Sequence, residues 1–266
     1  MEAGGPENLV LKRNITGGIV TYNNAGTIEK CISSILSVTK DLGDDFKLYV
    51  YDNASTDGTA DLVAEKYPQI DLIRGIENLG FGSGHNEIMK ELQSDVHFVI
   101  NPDITLSQEV FTKLADELLA DESIGQITPK VMNTDGSEQC LPKYCPSIRT
   151  SFIGNLPGFS YIRREYTRAS HVFTGPEEIQ FCTGCFFGIR TSYYKELKGF
   201  SPEFFLYLED TDLSKRVLAS GKKIIFEPRV SVTHDWKREN TRKLQGILRY
   251  LKSLHTFFKK WGFAWR

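Results

Sequence analysis

Short runs rich in β-branched and aromatic residues alternate with helical spacings over the first half of the chain. Residues 15–22 (ITGGIVTY) read as a strand closed by Asn23, Asn24, Ala25 and Gly26. Ile28, Cys31, Ile32, Ile35 and Leu36 then recur at helical intervals, with Thr27 positioned as the cap. A second strand spans 47–51 and ends at Asp52, turn residues fill 53–58, and a helix follows at 59–67. A short strand at 72–74, a helix at 84–93, a strand at 96–100 and a helix at 108–120 continue the alternation. Strand and helix in turn, at these lengths, predict a parallel sheet wrapped by helices over roughly the first 125 residues.

Beyond that point the regularity fails. Residues 129–176 are rich in Pro, Gly, Asn and aromatic residues and support no repeating unit. A strand at 186–190, short helices near 191–197 and 211–220, and paired strands at 223–226 and 230–233 complete the body. A last helix near 241–260 carries Leu244, Ile247, Leu248, Leu251, Leu254, Phe257 and Phe258 on one stripe.

Composition narrows the class. Of the 266 residues, 40% are hydrophobic and 25% charged, which argues against disorder. The longest apolar-looking run, 179–189, falls far short of the roughly 20 residues of a membrane span, and residues 1–14 hold no leader-like apolar stretch. A soluble, cytoplasmic chain is expected. Five cysteines, an odd number, do not suggest a disulfide framework. Cys182 and Cys185 have CxxC spacing, but they sit in a strand-like apolar segment, so free thiols fit better than a zinc knuckle.

Net charge is −2, yet residues 237–266 carry nine basic side chains against one acid, leaving −10 on residues 1–236. This basic tail also holds Tyr250, Phe257, Phe258, Trp261, Phe263 and Trp265.

Candidate chemistry lies where the strands end. In open α/β sheets ligands bind beyond the C-terminal strand ends. Here those ends read Thr21-Tyr22-Asn23, Asp52-Asn53-Ala54-Ser55 and Asn101-Pro102-Asp103. Acids at the second and third suit a ligand with hydrogen-bond donors and a divalent cation; alternatively, Asp52 and Asp57 serve only to cap turns. The glycine-rich segment 78–84 (NLGFGSG) can bring backbone close to a ligand, but it lacks the order and position of a dinucleotide fingerprint.

Taken in order, VTYNNAGTIEKCISSI, VYDNASTDGTADLV, ENLGFGSGHNEI, NPDITL, CTGCFFGIR, GFSPEFFLYLEDTDLSKRVLASGKKI and VTHDW resemble family 2 glycosyltransferases over about residues 15–260. The resemblance is to the rhamnosyltransferase-like branch that builds bacterial surface polysaccharides. It implies a GT-A α/β fold with a mixed central sheet: a Rossmann-like nucleotide-binding half at about 15–125 fused to an acceptor-binding half at 126–236. Residues 237–266 form the basic, aromatic helical tail. It further implies that Thr21, Tyr22 and Asn23 line the base and ribose pocket and that Asp52 accepts a pyrimidine N–H. Asn53, Asn78, Gly80, Phe81, Gly82, Asn101 and Pro102 would enclose the rest of the donor. Asp103 stands in the metal motif, whose first acid is here Asn101, and His234 would add an imidazole ligand to Mn2+ or Mg2+. Glu209 and Asp210 hold the general base, with Asp210 preferred. Thr183, Gly184 and Cys185 form the sugar-facing loop, and Trp236 is positioned to stack on a sugar.

The resemblance thus implies an inverting, metal-dependent transferase with a dTDP- or UDP-linked donor, dTDP-L-rhamnose first, and a polyprenyl-diphosphate-linked glycan acceptor. UDP-hexose donors stay open, as do two other classes: a sugar-nucleotide nucleotidyltransferase, which would show a basic glycine-rich loop after the first strand, and a non-catalytic carbohydrate-binding protein. The tail suits either peripheral contact with an anionic membrane at its cytoplasmic face or a dimer interface. Nucleic acid is not expected as a partner, since the body is acidic.

Overall fold

The computed structural model describes residues 13–147, 149–150, 156, 158–236 and 244–263. Its strands are β1 (Ile15–Thr21), β2 (Phe46–Asp52), β3 (Asp71–Arg74), β4 (Val96–Ile100), β5 (Ile104–Thr105), β6 (Ile124–Met132), β7 (Glu177–Ile179), β8 (Phe186–Arg190) and β9 (Lys223–His234). They form one sheet ordered β3-β2-β1-β4-β8-β6-β9-β5, with β7 also paired to β9. The first four strands are mutually parallel. β8 then enters antiparallel between β4 and β6, which makes the sheet mixed. Because β1 lies between β2 and β4, the winding direction reverses there and opens a crevice at the C-terminal ends of β1 and β4.

The two faces follow from the period-two alternation of buried residues along each strand. On one face Ile19, Val50, Phe98, Ile100 and Phe186 pack on α1 (Ile28–Thr39) and α4 (Val110–Ala120) through Ile28, Ile32, Phe111 and Leu114. On the other, Val20, Val99, Phe187 and Phe226 meet Ile88 of α3 (Phe81–Glu91), and Leu213 and Val217 of a helix at Glu209–Ala219, the site helix. α2 (Thr59–Lys66) joins β2 to β3. Each fully buried Phe or Leu contributes roughly 1.5–3 kcal/mol.

Several expectations are corrected. Residues 223–234 form one strand rather than a pair: Glu227 accepts from the Arg229 amide, and the register against β6 shifts past Pro228, a bulge instead of a hairpin. β6, absent from the reading of 129–176 as irregular, is nine residues long and central. α3 begins at Phe81, so Gly82 and Gly84 lie in its first turns. Thr27 sits at the start of α1, but its hydroxyl donates to the Asn24 carbonyl and caps no amide.

The C-terminal helix, Leu244–Trp261, does not present one uniform stripe. Leu254, Phe257 and Phe258 form a third core with Phe204, whereas Ile247, Leu248 and Leu251 are exposed. Asp212 of the site helix, fully buried, ties the helix down. It accepts from the Trp261 indole at 2.8 Å, pairs with Lys260 at 2.9 Å and accepts from Arg216 at 2.9 Å. The residues expected to start this helix, 241–243, and Trp265 lie outside the described residues, as does the basic cluster at 237–243.

Candidate active site

The nucleotide side is built where β2 ends. Asp52 is buried; its Oδ2 accepts from the Ser55 amide at 2.9 Å, while Oδ1 is buried without any hydrogen-bond partner. A buried acceptor left unmade is costly in an empty protein and favourable toward a ligand N–H. It borders a recess of about 420 Å³ lined by Ser55, Thr56, Arg74 and Gly75 among others. Asn23 closes the neighbouring edge: its amide donates to Ser55 Oγ, and its Oδ1 accepts from the Thr56 amide at 2.8 Å. Asn23 and Ala54 both hold positive φ, 56° and 61°, strain of the kind that collects at ligand sites. Tyr22 projects into solvent from the same turn, and Thr21 is buried, donating to Asn24 Oδ1 at 3.1 Å.

The glycine segment serves as a fixed wall. Asn53 is buried and reaches across it, donating to the Gly80 carbonyl at 3.1 Å and accepting from the Leu79 amide at 2.8 Å. Asn78 accepts from the Gly80 amide at 2.9 Å. Gly80 has φ 86° and its Cα is covered by the Phe205 carbonyl; a Cβ on Gly82 would lie 2.7 Å from Phe200. Asn53, Asn78, Gly80 and Gly82 therefore hold backbone against backbone, and of this group Phe81 faces the main cavity.

That cavity, about 710 Å³, gathers Asn101, Thr183, Gly184, Cys185, Glu209, Asp210, His234 and Trp236 on its walls. β5 pairs antiparallel with the end of β9, setting Ile104 opposite His234, and the Asp235 amide donates to the Asp103 carbonyl. This register carries Asp103 Oδ1 to 3.2 Å from His234 Nε2, next to Asn101 and Pro102. Gln139 determines which imidazole nitrogen faces Asp103. Its amide group donates to Asn133 Oδ1 and the His234 carbonyl, so its Oε1 accepts from Nδ1 at 3.2 Å and Nε2 faces the carboxylate. Burial opposes a charge on His234, but Asp103 and the Cys185 thiol raise the imidazole to about 10.

Asp103 and His234 fit a hard divalent cation as a partial site. Two protein ligands would leave the remaining positions to substrate oxygens and water. Among the described residues no group of three or more His, Cys, Asp or Glu side chains is arranged to hold a metal ion by itself.

The site helix begins under strain. Tyr207 and Leu208 hold φ of 71° and 66°, and the chain turns straight into Glu209 and Asp210. Asp210 accepts from the Gly184 amide at 3.0 Å and the Thr211 amide at 2.7 Å. A Cβ on Gly184 would lie 3.2 Å from the Phe81 ring and 3.4 Å from Asp210, a tight fit against both. Glu209 Oε2 is buried with no partner. Burial raises both carboxyls above the ordinary range, Glu209 further through the charge on Asp210; Asp210 is pulled back by Gly184, Thr211 and Lys143. The pair is thus a single-charge unit with Asp210 the more readily ionised member. Trp236 stacks parallel to the His234 ring at 6.4 Å and is half exposed in the cavity.

Four residues near these groups escape a reading of the sequence. Arg74 ends β3 and so carried a strand-end signal. Gln139, Lys143 and Arg163 lie in the stretch without periodicity, where nothing marks them.

Strand ends, an orphaned acceptor beside a recess and a carboxylate-rich cavity mark a ligand site on a mixed α/β sheet, and the fold is that of GT-A glycosyltransferases. The chain belongs to glycosyl transferase family 2, which matches residues 18–198. It is 24% identical over 229 residues to N-acetylglucosaminyl-diphospho-decaprenol L-rhamnosyltransferase of Mycobacterium tuberculosis, covering 81% of this chain and 74% of that protein. The glycosyltransferase SunS of Bacillus subtilis is 30% identical over 102 residues, 38% of this chain and 22% of its own. Among solved structures, GalNAc-T7 with UDP, GalNAc and Mn2+ superposes with a TM-score of 0.64 at 15% identity, over 85% of this chain and 44% of that one. The mannosyltransferase PcManGT of Pyrobaculum calidifontis with GDP-Man and Mn2+ gives 0.60 at 18% identity, over 92% and 65%. The chain therefore spans less than half of the first and about two thirds of the second, and both likenesses concern the fold.

Proposed function

We propose that this glycosyltransferase inverts the anomeric centre as it moves L-rhamnose from dTDP-rhamnose to a polyprenyl-diphosphate-linked N-acetylglucosaminyl acceptor. The observation that carries the reading is one cavity lined by His234, Glu209 and Asp210, with Asp103 Oδ1 3.2 Å from His234 Nε2, together with the recess at Asp52. The name of the mycobacterial relative supports the sugar and the acceptor class.

Asp52 Oδ1 accepts the N3–H of thymine or uracil, a donor that cytosine lacks. Asp103 and His234 would hold Mn2+ or Mg2+, which would neutralise charge on the departing diphosphate. Asp210, fixed by Gly184 and Thr211, takes the proton from the acceptor hydroxyl. The acceptor oxygen bonds to the anomeric carbon as the bond from that carbon to the phosphate oxygen breaks, and the electron pair leaves with the nucleoside diphosphate. Attack from the face opposite the leaving group inverts the centre. Thr183, Gly184, Cys185 and Trp236 border the sugar.

No helix among the described residues is long and apolar enough to cross a membrane. A lipid-linked acceptor calls for work at the membrane, and exposed Ile247, Leu248 and Leu251 supply an apolar face for it. The test is a donor panel of dTDP-rhamnose, UDP-glucose, UDP-galactose and UDP-N-acetylglucosamine with a synthetic N-acetylglucosaminyl-diphospho-alkyl acceptor. Product from dTDP-rhamnose is expected, in the inverted configuration. Product from a UDP-hexose alone would overturn the donor assignment.

A further inference from the structure

The main cavity that holds Glu209, Asp210 and His234 also carries two cationic side chains. Lys143 and Arg163 both line the cavity, and neither makes an ion pair among the described residues. Neighbouring arginines behave differently: Arg149 pairs with Glu165 and Arg168 with Glu177. The two cations come from separate segments that are tied together, since the Tyr144 amide donates to the Tyr166 carbonyl at 3.1 Å. Lys143 is half-buried, its ammonium 6.0 Å from the Phe181 ring centre. Burial holds it below the ordinary lysine value, Arg163 adds to that, and Asp210 pulls the other way. Half-buried Lys143 and exposed Arg163 repel each other, and neither reaches an acid within salt-bridge distance among the described residues, Asp210 acting on Lys143 only at longer range, so the two offer a site for an anion.

The rest of the cavity indicates which anion. The metal-side wall already has Asp103 and His234 for one diphosphate, that of the donor. Ile247 lines the same cavity and leads to Leu248 and Leu251, all exposed on the C-terminal helix. Carboxylates, cations and an apolar side chain around one cavity match the parts of an acceptor that presents a sugar, a diphosphate and an alkyl chain.

We propose that Lys143 and Arg163 bind the diphosphate of the acceptor and so make the enzyme selective for diphosphate-linked over neutral glycosides. This inference rests on the transferase reading above for the source of the diphosphate, though not for the existence of the anion site. Lys143 supplies a point charge and Arg163 a two-pronged donor set. Charge-assisted bonds of this kind make each cation worth about 10- to 100-fold in acceptor affinity.

The experiment has two arms. In the first, transfer is measured with N-acetylglucosaminyl-diphospho-undecyl and with the neutral undecyl glycoside of N-acetylglucosamine, at saturating donor. Lys143→Met and Arg163→Met are expected to raise KM for the diphosphate acceptor about 10- to 100-fold each and to erase the preference over the neutral glycoside. Lys143→Arg is expected to retain the preference, which separates lost charge from lost folding. A raised donor KM with the acceptor preference intact would assign the cations to the donor diphosphate and overturn the proposal. In the second arm, methylenediphosphonate is titrated calorimetrically in EDTA with saturating dTDP. Heat of binding to the wild type that is lost in both Met variants supports the anion site even if no donor yields product, a result that would sink only the transferase reading. Equal binding by wild type and variants would overturn the site itself.

Discussion

Replacing Asp52 with Asn isolates the base-recognition argument, because the change is nearly isosteric and its outcome depends on which ligand is offered. In the wild type, Oδ2 is committed to the Ser55 amide at 2.9 Å and Oδ1 is buried without a partner. An asparagine must still satisfy Ser55, so its oxygen turns there and its NH2 takes the orphaned position. Toward thymine or uracil, a charge-assisted bond of roughly 1.5–3 kcal/mol is replaced by two donors facing each other. That converts to about a 10- to 100-fold loss of dTDP and UDP affinity. Toward cytosine, whose N3 accepts, the same NH2 is complementary, so CDP affinity should rise. Isothermal titration of wild type and Asp52→Asn with dTDP, UDP and CDP reads all three. Unchanged dTDP and UDP affinity, or a uniform loss that includes CDP, would refute the reasoning.

Three further outcomes are expected. Asp212→Ala removes the buried acceptor that holds Arg216, Lys260 and Trp261, and because those partners reach solvent the loss should be about 2–3 kcal/mol, at the lower edge for a broken buried pair, read by urea denaturation. Glu209 has its folded pKa raised by burial and by Asp210, so the stability it permits is full below the ordinary carboxylate value and is lost as pH rises through the folded value. Glu209→Gln should therefore unfold at a higher temperature than wild type at pH 8 and at the same temperature at pH 4; equal curves at both would contradict this. Asp103→Ala, like treatment of the wild type with EDTA, should abolish transfer, with added Mn2+ or Mg2+ rescuing only the wild type.

The sequence made the nucleotide half legible because its elements are locally determined. Ile19 and Val20, or Phe98 and Val99, alternate between faces, and each strand ends in the polar residue that faces the crevice. The acceptor half was legible only in its motifs. β6 and the bulge in β9 depend on pairing between distant segments, which no local period encodes. Part of what the glycine segment does was hidden for a physical reason: Gly80 and Gly82 meet Phe205 and Phe200, residues more than a hundred positions away, so their small size also serves packing. The C-terminal stripe looked uniform because hydrophobicity alone does not say which half finds Phe204. Lys143 and Arg163 were illegible for the simplest reason: their significance lies in two separate segments meeting at one cavity, which no local period encodes.

The central claim is that one cavity brings a sugar-nucleotide to an acceptor hydroxyl deprotonated by Asp210. The most direct test is a comparison of Asp210→Asn with wild type for transfer from dTDP-rhamnose to the diphosphate-linked acceptor, alongside calorimetric dTDP affinity. The account predicts a fall in kcat of about 10²- to 10⁴-fold, the range a positioned general base contributes, with dTDP bound as tightly as before. Transfer by Asp210→Asn at the wild-type rate would contradict it.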